Sequence, residues 1–386
     1  MKFLCSAGRG RNPLVLAGVL MVAWAAAASA WAQSPKTLVV LLYEQLDSSL
    51  IESTETPGFD RIRKEGAWTD SLTPAFPNTA VSNAFTISSG CWPENHGIVL
   101  DRFQDPSRGD YDRFLNADWM TGCMPMNEIL NQKRRMVGVM GWPGRFRATA
   151  SLASMVSQEK TPDSFVGDDA RLVSVGHFLK MSHINRPSLV LAYMEGAKGA
   201  KTEDERRRAL LAADATIVKL MQDIEALADG KMLALVVVSA RAVQPAPLPE
   251  AVSVAIGANG VLTASEATGF VYGTDTAALS QKLSALDGVS VTPRDGQPEV
   301  WKVGTGPRVG DLIVSTDATS GSGGMFYAWG RGVQAGRKLP AMRAVDVNPT
   351  LIRGLIRVRA DYPSDGRIIG ELLTRPPNGV SAQASP

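Results

Sequence analysis

Histidine is scarce in this chain: His96, His177 and His183 are the only three in 386 residues. Cysteine is equally rare, with Cys5, Cys91 and Cys123. A structural zinc site takes four Cys or His ligands, so that class has little to draw on. Neither sign of charge dominates, with 40 basic against 38 acidic residues, which removes the electrostatic case for nucleic acid or anionic membrane as a partner. The basic run Lys133-Arg134-Arg135 is read as a solvated helix end. There is no Gly-x-Ser-x-Gly elbow and no Walker loop. Thr319-Ser-Gly-Ser-Gly-Gly324 suits a flexible loop better than a phosphate cradle. No repeat runs along the chain, so a solenoid is excluded.

A long apolar run is also missing, except at the start. Lys2, Arg9 and Arg11 precede an apolar stretch over 13–28, and Ala30-Trp31-Ala32 offers small residues before Gln33. The stretch is shorter than the ~20 residues a membrane span needs. We therefore expect a signal peptide over 1–32 and a secreted or periplasmic protein without a membrane anchor after cleavage. Cleavage would remove three basic residues and no acidic one, leaving the mature chain one charge negative. In an oxidising compartment two alternatives stay open for Cys91 and Cys123, a disulfide or two separate buried thiols.

What is present is globular: 45% hydrophobic and 20% charged residues. Buried β-branched and apolar runs at 37–43, 136–140, 188–193 and 233–238 alternate with helical patterns at 57–65, 82–88 and 204–227. In the last of these, Leu210, Ala213, Ile217, Leu220, Met221 and Ile224 share one face. Such alternation predicts a mainly parallel sheet with helices on both faces. After the Pro-rich break 245–249, strands at 269–272, 289–292 and 311–315 with a helix at 276–286 predict a small α+β region over about 250–315. A strand at 325–329, a helix at 347–355 and a disordered tail at 376–386 close the chain. The domain proper is expected over 33–375.

One stretch carries specific information. Leu72-Thr-Pro-Ala-Phe-Pro77 is followed by Asn83, Thr86, Ser89-Gly90, Trp92-Pro-Glu-Asn-His-Gly-Ile98 and Asp101-Arg-Phe-Gln-Asp-Pro106. This resembles the type I phosphodiesterase/nucleotide pyrophosphatase family of the alkaline-phosphatase superfamily. Further in-order matches are Trp119 to Gly122, Gly141-Trp-Pro-Gly144, Pro307-Arg-Val-Gly-Asp-Leu312, the stretch 330–336 and Val345-Asp346-Val347. The resemblance implies an alkaline-phosphatase-like fold. It also implies two zinc ions held by Asp and His residues, with a Thr nucleophile attacking phosphorus in line.

The positions that should carry this chemistry are altered. Glu44-Gln45 replaces the family's Asp-Gly, and Ala80 stands at the nucleophile, where a methyl group cannot attack. Gly196 and Ala200 fall on an Asp and a His, Ala240 and Arg241 on an Asp-His pair. The last His falls in 316–324, which contains none. A metal held by Glu44 alone would be mostly hydrated, so no cofactor is expected. Asn83 persists where the resemblance implies contact with a phosphoryl oxygen, and the helix start near Ala80 is an anion seat by its dipole. Arg241 is expected either to face Glu44 as an internal ion pair or to point to solvent. Thr79 and Ser82 flank Ala80, and either Ser82 or Asn78 is read as the helix cap. His96, His177 and His183 are read as structural or solvated, the last two in one helical stretch.

The reading that results is an exported pseudoenzyme binding a small anion such as phosphate or a nucleotide, through Asn83, Arg241 and Glu44, or a protein partner. The alternatives are a hydrolase with a rebuilt site and a relic without ligand.

Overall fold

The computed structural model describes residues 34–112, 119–142, 154–156 (backbone only), 167–243, 245–316, 323–359, 361–377 and 380. The expected signal segment 1–32 and the tail beyond 380 lie outside the described residues, as do parts of the 141–144 and 316–324 motifs.

The chain opens with β1 (Thr37–Gln45), buried along its whole length. Its side chains alternate strictly. Leu38, Val40 and Leu42 enter one apolar layer and Val39, Leu41 and Tyr43 the other. A strand buried on both faces belongs in the middle of a covered parallel sheet. Accordingly β1 pairs in parallel with β7 (Leu189–Gly196) on one side and β8 (Leu233–Ser239) on the other. With β2 (Ala67–Thr73), β5 (Val137–Met140), β6 (Ser154–Val156), β13 (Gly324–Gly330), β14 (Arg337–Lys338) and β15 (Met342–Arg343) it forms a nine-stranded sheet. The order is β14-β2-β13-β8-β1-β7-β5-β6, β15 also pairs with β2, and β13 runs antiparallel to both of its neighbours. This is the expected mixed α/β architecture with a mainly parallel core.

Helix α1 (Pro57–Glu65) and the long α6 (Glu203–Glu225) cover one face. Thr202 caps α6 in a reciprocal box with Glu205, and Leu210, Ala213, Ile217, Leu220, Met221 and Ile224 form its buried stripe. Asp214 crosses to the start of α1, accepting from Phe59 N at 2.8 Å. It satisfies one of the donors a helix start leaves open. The other face holds α2 (Ala80–Ser89), whose ten residues are all buried. Its hydroxyls return to the helix's own carbonyls, Thr86 Oγ1 to Ser82 O at 3.0 Å and Ser89 Oγ to Phe85 O at 2.7 Å. Gly90 ends it in the left-handed conformation at φ 74°.

The segment after the Pro-rich break folds as a four-stranded antiparallel sheet, β11-β12-β10-β9, with helices α7 (Glu250–Ile256) and α8 (Thr276–Ser284) packed on it. Its strands are β9 (Gly260–Ser265), β10 (Thr268–Gly273), β11 (Ser290–Pro293) and β12 (Leu312–Ser315).

Several expectations need correction. The helix expected from Ser82 begins at Ala80 with Thr79 before it, and Ser82 lies inside, donating to Ile98 O at 2.9 Å. Neither Ser82 nor Asn78 caps it. The helix expected over 347–355 starts earlier, at Ala344, and widens into a π-helical stretch at Thr350–Leu355 beyond Pro349. Pro349 brings no N–H to the ladder, a common cause of such irregularity. His183 lies past the end of the helix Asp168–Lys180 that carries His177.

Cys91 and Cys123 are disulfide-bonded across 32 positions of chain. Closing a loop of that size restricts the unfolded chain by roughly 3–4 kcal/mol. The double variant Cys91→Ser/Cys123→Ser is therefore expected to lose about that much in urea unfolding under non-reducing conditions. An unchanged midpoint would mean that this loop is already constrained when unfolded.

Candidate functional site

The alternation that sends Leu38, Val40 and Leu42 toward α2 sends Glu44 there too, at the carboxyl end of the central strand. The carboxyl ends of parallel strands are where α/β sheets build sites. Tyr193, paired in register with Leu42 on β7, donates its hydroxyl to Glu44 Oε2 at 2.7 Å. Arg241 follows β8 by two residues. Its Nη2 donates to Glu44 Oε1 at 3.0 Å, and both side chains are 1% exposed. The ion pair, and not the solvent-facing alternative, is what the fold contains. Lys198 Nζ lies 3.6 Å from Glu44 Oε2.

A second carboxylate completes the cluster. Glu266 stands in the two-residue turn between β9 and β10 at φ 54°. Its Oε1 accepts from Arg241 Nη2 at 3.0 Å and its Oε2 from Nη1, a two-pronged contact. Arg241 Nη1 also reaches Asn78 O at 3.3 Å. Burial pulls the guanidinium pKa down, but the hydrogen bond and charge of Glu266 and the charge of Glu44 outweigh it, so the group is held above its ordinary value. Burial pushes the Glu266 carboxyl up, Arg241 offsets part of this, and the nearby charges of Asp101 and Glu44 add to the rise.

The start of α2 is occupied from within the chain. Asp101 Oδ1 accepts from Val81 N at 3.3 Å, so the positive helix end faces an internal carboxylate. Asn83 is committed to the preceding loop. Its Oδ1 accepts from Ala75 N at 2.8 Å, and its Nδ2 donates to Asn78 Oδ1 at 3.1 Å and Thr79 O at 3.2 Å. The Thr79 hydroxyl is buried without a partner among the described residues. The Ser239 hydroxyl bridges Leu46 N and Arg241 O, a structural brace. The residual cavity between Glu44, Ala80, Asn83, Tyr193 and Arg241 measures about 10 Å³, close to the least that admits one water.

Zinc does not fit this donor set. Glu44 is the sole side-chain ligand among Glu44, Gly196, Ala200, Ala240 and Arg241, and two cations lie beside it. At Gly196, φ is +59° and an added Cβ would meet Gln45 O at 2.5 Å, so this backbone admits no aspartate. Among the described residues no group of three or more His, Cys, Asp and Glu is placed to hold a metal ion.

Sequence reasoning brought Glu44 and Arg241 together but missed Glu266, Lys198, Tyr193 and Asp101. A charged residue in a tight hairpin turn is the one local signal Glu266 gives. His96 is fully buried. Its Nδ1 accepts from Ile98 N at 3.1 Å, and its Nε2 lies 3.0 Å from Thr86 Oγ1, whose own hydrogen goes to Ser82 O. This network assigns a neutral ring protonated on Nε2. His177 and His183 are exposed.

Comparison with known proteins agrees with this architecture. A profile of the type I phosphodiesterase / nucleotide pyrophosphatase family matches residues 38–322. Ectonucleotide pyrophosphatase/phosphodiesterase family member 1 of Rattus norvegicus is 25% identical over 223 residues, covering 54% of this chain and 24% of that protein. A venom phosphodiesterase of Macrovipera lebetinus is 23% identical over 210 residues, covering 51% of this chain and 24% of that protein. The match thus spans about a quarter of these relatives' length. Human ectonucleotide pyrophosphatase / phosphodiesterase 5 superposes with a TM-score of 0.75 at 18% identity, covering 88% of this chain and 100% of that one. A murine counterpart, an inactive threonine-to-alanine form in complex with AMP, gives 0.72 at 16% identity, covering 88% of this chain and 100% of that one. The chain belongs to the type I phosphodiesterase/nucleotide pyrophosphatase family.

Two outcomes follow from the geometry. Arg241→Met leaves two carboxylates near one another without their shared cation, and is expected to cost roughly 3–5 kcal/mol in urea unfolding. Adding Glu44→Gln and Glu266→Gln should recover part of that loss, whereas a cost under ~1 kcal/mol for Arg241→Met would indicate solvated charges. His96 gives a pH dependence. Burial pushes its pKa down to about 3, against ~6.5 unfolded. Below pH ~6.5 the unfolded chain binds a proton that the folded chain refuses, so stability falls as pH falls. From pH 6.5 to 5 the loss from this group is expected to be about 1.6 kcal/mol, read from urea midpoints. His96→Gln should flatten that slope.

Proposed function

We propose that this chain is an exported member of its family that does not hydrolyse phosphodiesters and acts by binding. The observation that carries this reading is the buried pair of Arg241 and Glu44, 3.0 Å apart, at two positions that the family resemblance assigns to metal ligands. A guanidinium bonded to the remaining carboxylate competes with any divalent cation for it. Ala80 supports the same reading, since its methyl group has no lone pair to attack phosphorus. The murine neighbour is described as inactive with the same kind of replacement.

The family's two zinc ions would lower the pKa of the attacking hydroxyl and balance charge on the phosphoryl oxygens. In this chain Arg241 and Lys198 supply fixed positive charge instead, and Tyr193 and Glu44 hold it in place. Fixed charge of this kind orients an oxyanion but activates no nucleophile. The ligand we favour is therefore a small oxyanion such as phosphate or the phosphate of a nucleotide, held without turnover.

Export is supported by the expected signal segment and by the Cys91–Cys123 bond, a linkage that persists in oxidising compartments. Among the described residues no helix is long and apolar enough to cross a membrane.

The test is metal analysis of protein purified from zinc-supplemented culture, paired with turnover of bis-p-nitrophenyl phosphate with and without added zinc. We expect zinc well below one per chain and no zinc-dependent turnover. Stoichiometric zinc with turnover abolished by a chelator would overturn the reading.

A further inference from the structure

We infer that Glu266 is a built-in stand-in for a ligand: its carboxylate occupies an oxyanion seat on Arg241 that an external phosphate or carboxylate takes when the Glu266 side chain swings out. This rests on the non-hydrolytic reading above and deepens it, by naming the seat and what guards it.

The two faces of the guanidinium are held differently. Glu44 binds Nη2 from the sheet, and neither partner is more than 1% exposed. Glu266 comes from outside the main sheet, on the β9–β10 turn, and its side chain is 17% exposed. It bridges Nη1 and Nη2 as a planar two-oxygen acceptor, the arrangement by which arginine recognises carboxylates and phosphates. A rotation of the Glu266 side chain would carry its head to solvent and leave the Arg241–Glu44 pair in place. The β9–β10 turn need not move. Its backbone is tied by Leu248 N donating to Glu266 O at 2.9 Å and Thr316 N donating to Ala267 O at 2.9 Å.

Glu266 also sits under tension. It is one of four non-glycine residues with positive φ among the described residues, a conformation uncommon for side chains of its kind. The neighbouring carboxylates Asp101 and Glu44 raise the cost of keeping its charge there. That repulsion is relieved when the side chain rotates out, which favours a contact that can be exchanged, whereas the backbone strain is the same in either position. The seat is the space that the Glu266 carboxylate itself fills against Nη1 and Nη2, so binding and side-chain release are coupled. A tethered carboxylate competes at an effective concentration on the order of millimolar. An external anion therefore binds the intact protein weakly, and removing the tethered one sharpens the response.

The experiment compares the full-length protein with Glu266→Ala, Glu266→Gln and the double variant Glu266→Ala/Arg241→Met. Thermal midpoints are followed against inorganic phosphate and, separately, acetate, with sodium chloride at matched ionic strength. Glu266→Ala should show saturable stabilisation by phosphate at roughly tenfold lower concentration than the unaltered chain, and the double variant should show none. Response to phosphate alone assigns a tetrahedral dianion, and response to both assigns oxyanions generally. Where Glu266→Ala does not fold, Glu266→Gln, which keeps the shape but not the charge, should still respond at lower phosphate than the unaltered chain. If neither variant responds to phosphate or acetate beyond chloride, or the double variant responds equally, the seat does not exist. Zinc content and phosphodiester turnover are measured on the same preparations. Turnover would sink the non-hydrolytic reading independently of the anion result.

Discussion

An arginine whose head group is 1% exposed cannot stand at a strand end by itself. Taking a charge out of water costs several kcal/mol, and only paired, hydrogen-bonded neighbours offset it. Arg241 thus dictates much around it. Glu44 meets it from the next strand, Tyr193 holds Glu44 from the strand beyond, and Glu266 meets it from the smaller sheet. One charge joins three strands of the main sheet to the turn of a hairpin that belongs to another layer.

The same logic extends through the centre of the molecule. Features that would attract an anion are met by groups of the chain's own. Asp101 faces the start of α2, Glu266 faces Arg241, and the Asn83 amide is bound to its loop. Internal acceptors of this kind satisfy buried donors that water cannot reach. They explain how a centre with this many charged and polar groups keeps a well-packed interior. A ligand entering this centre has to displace something already seated.

The fold was largely legible from the sequence because its strongest elements are its most buried. The strands around 37–45, 189–196 and 233–239 are near-continuous apolar runs, and the α6 stripe repeats at helical spacing. What escaped was half-buried or lightly covered. β2 mixes polar residues into its alternation, and β9 is mostly half-buried, so neither presents an apolar run. Around the site, Glu44 and Arg241 could be paired because each falls next to a recognisable strand end. Glu266 could not, because its partner lies 25 residues back, across a break and in a different sheet, and nothing local announces such a meeting. The start of α2 was misplaced by two residues because Ser82 looks like a cap by composition, whereas burial turned its hydroxyl toward Ile98.

Gly196 limits what can be engineered onto this strand end. With its φ at +59° and the carbonyl of Gln45 pressed against it, the chain there follows a course that excludes any side chain. Installing an aspartate would take more than a codon change, because the end of the strand would have to be laid down again beside its neighbour. Ala80 and Ala240 already carry a Cβ, so an attempt to graft a metal cage onto this scaffold would fail first at this bend.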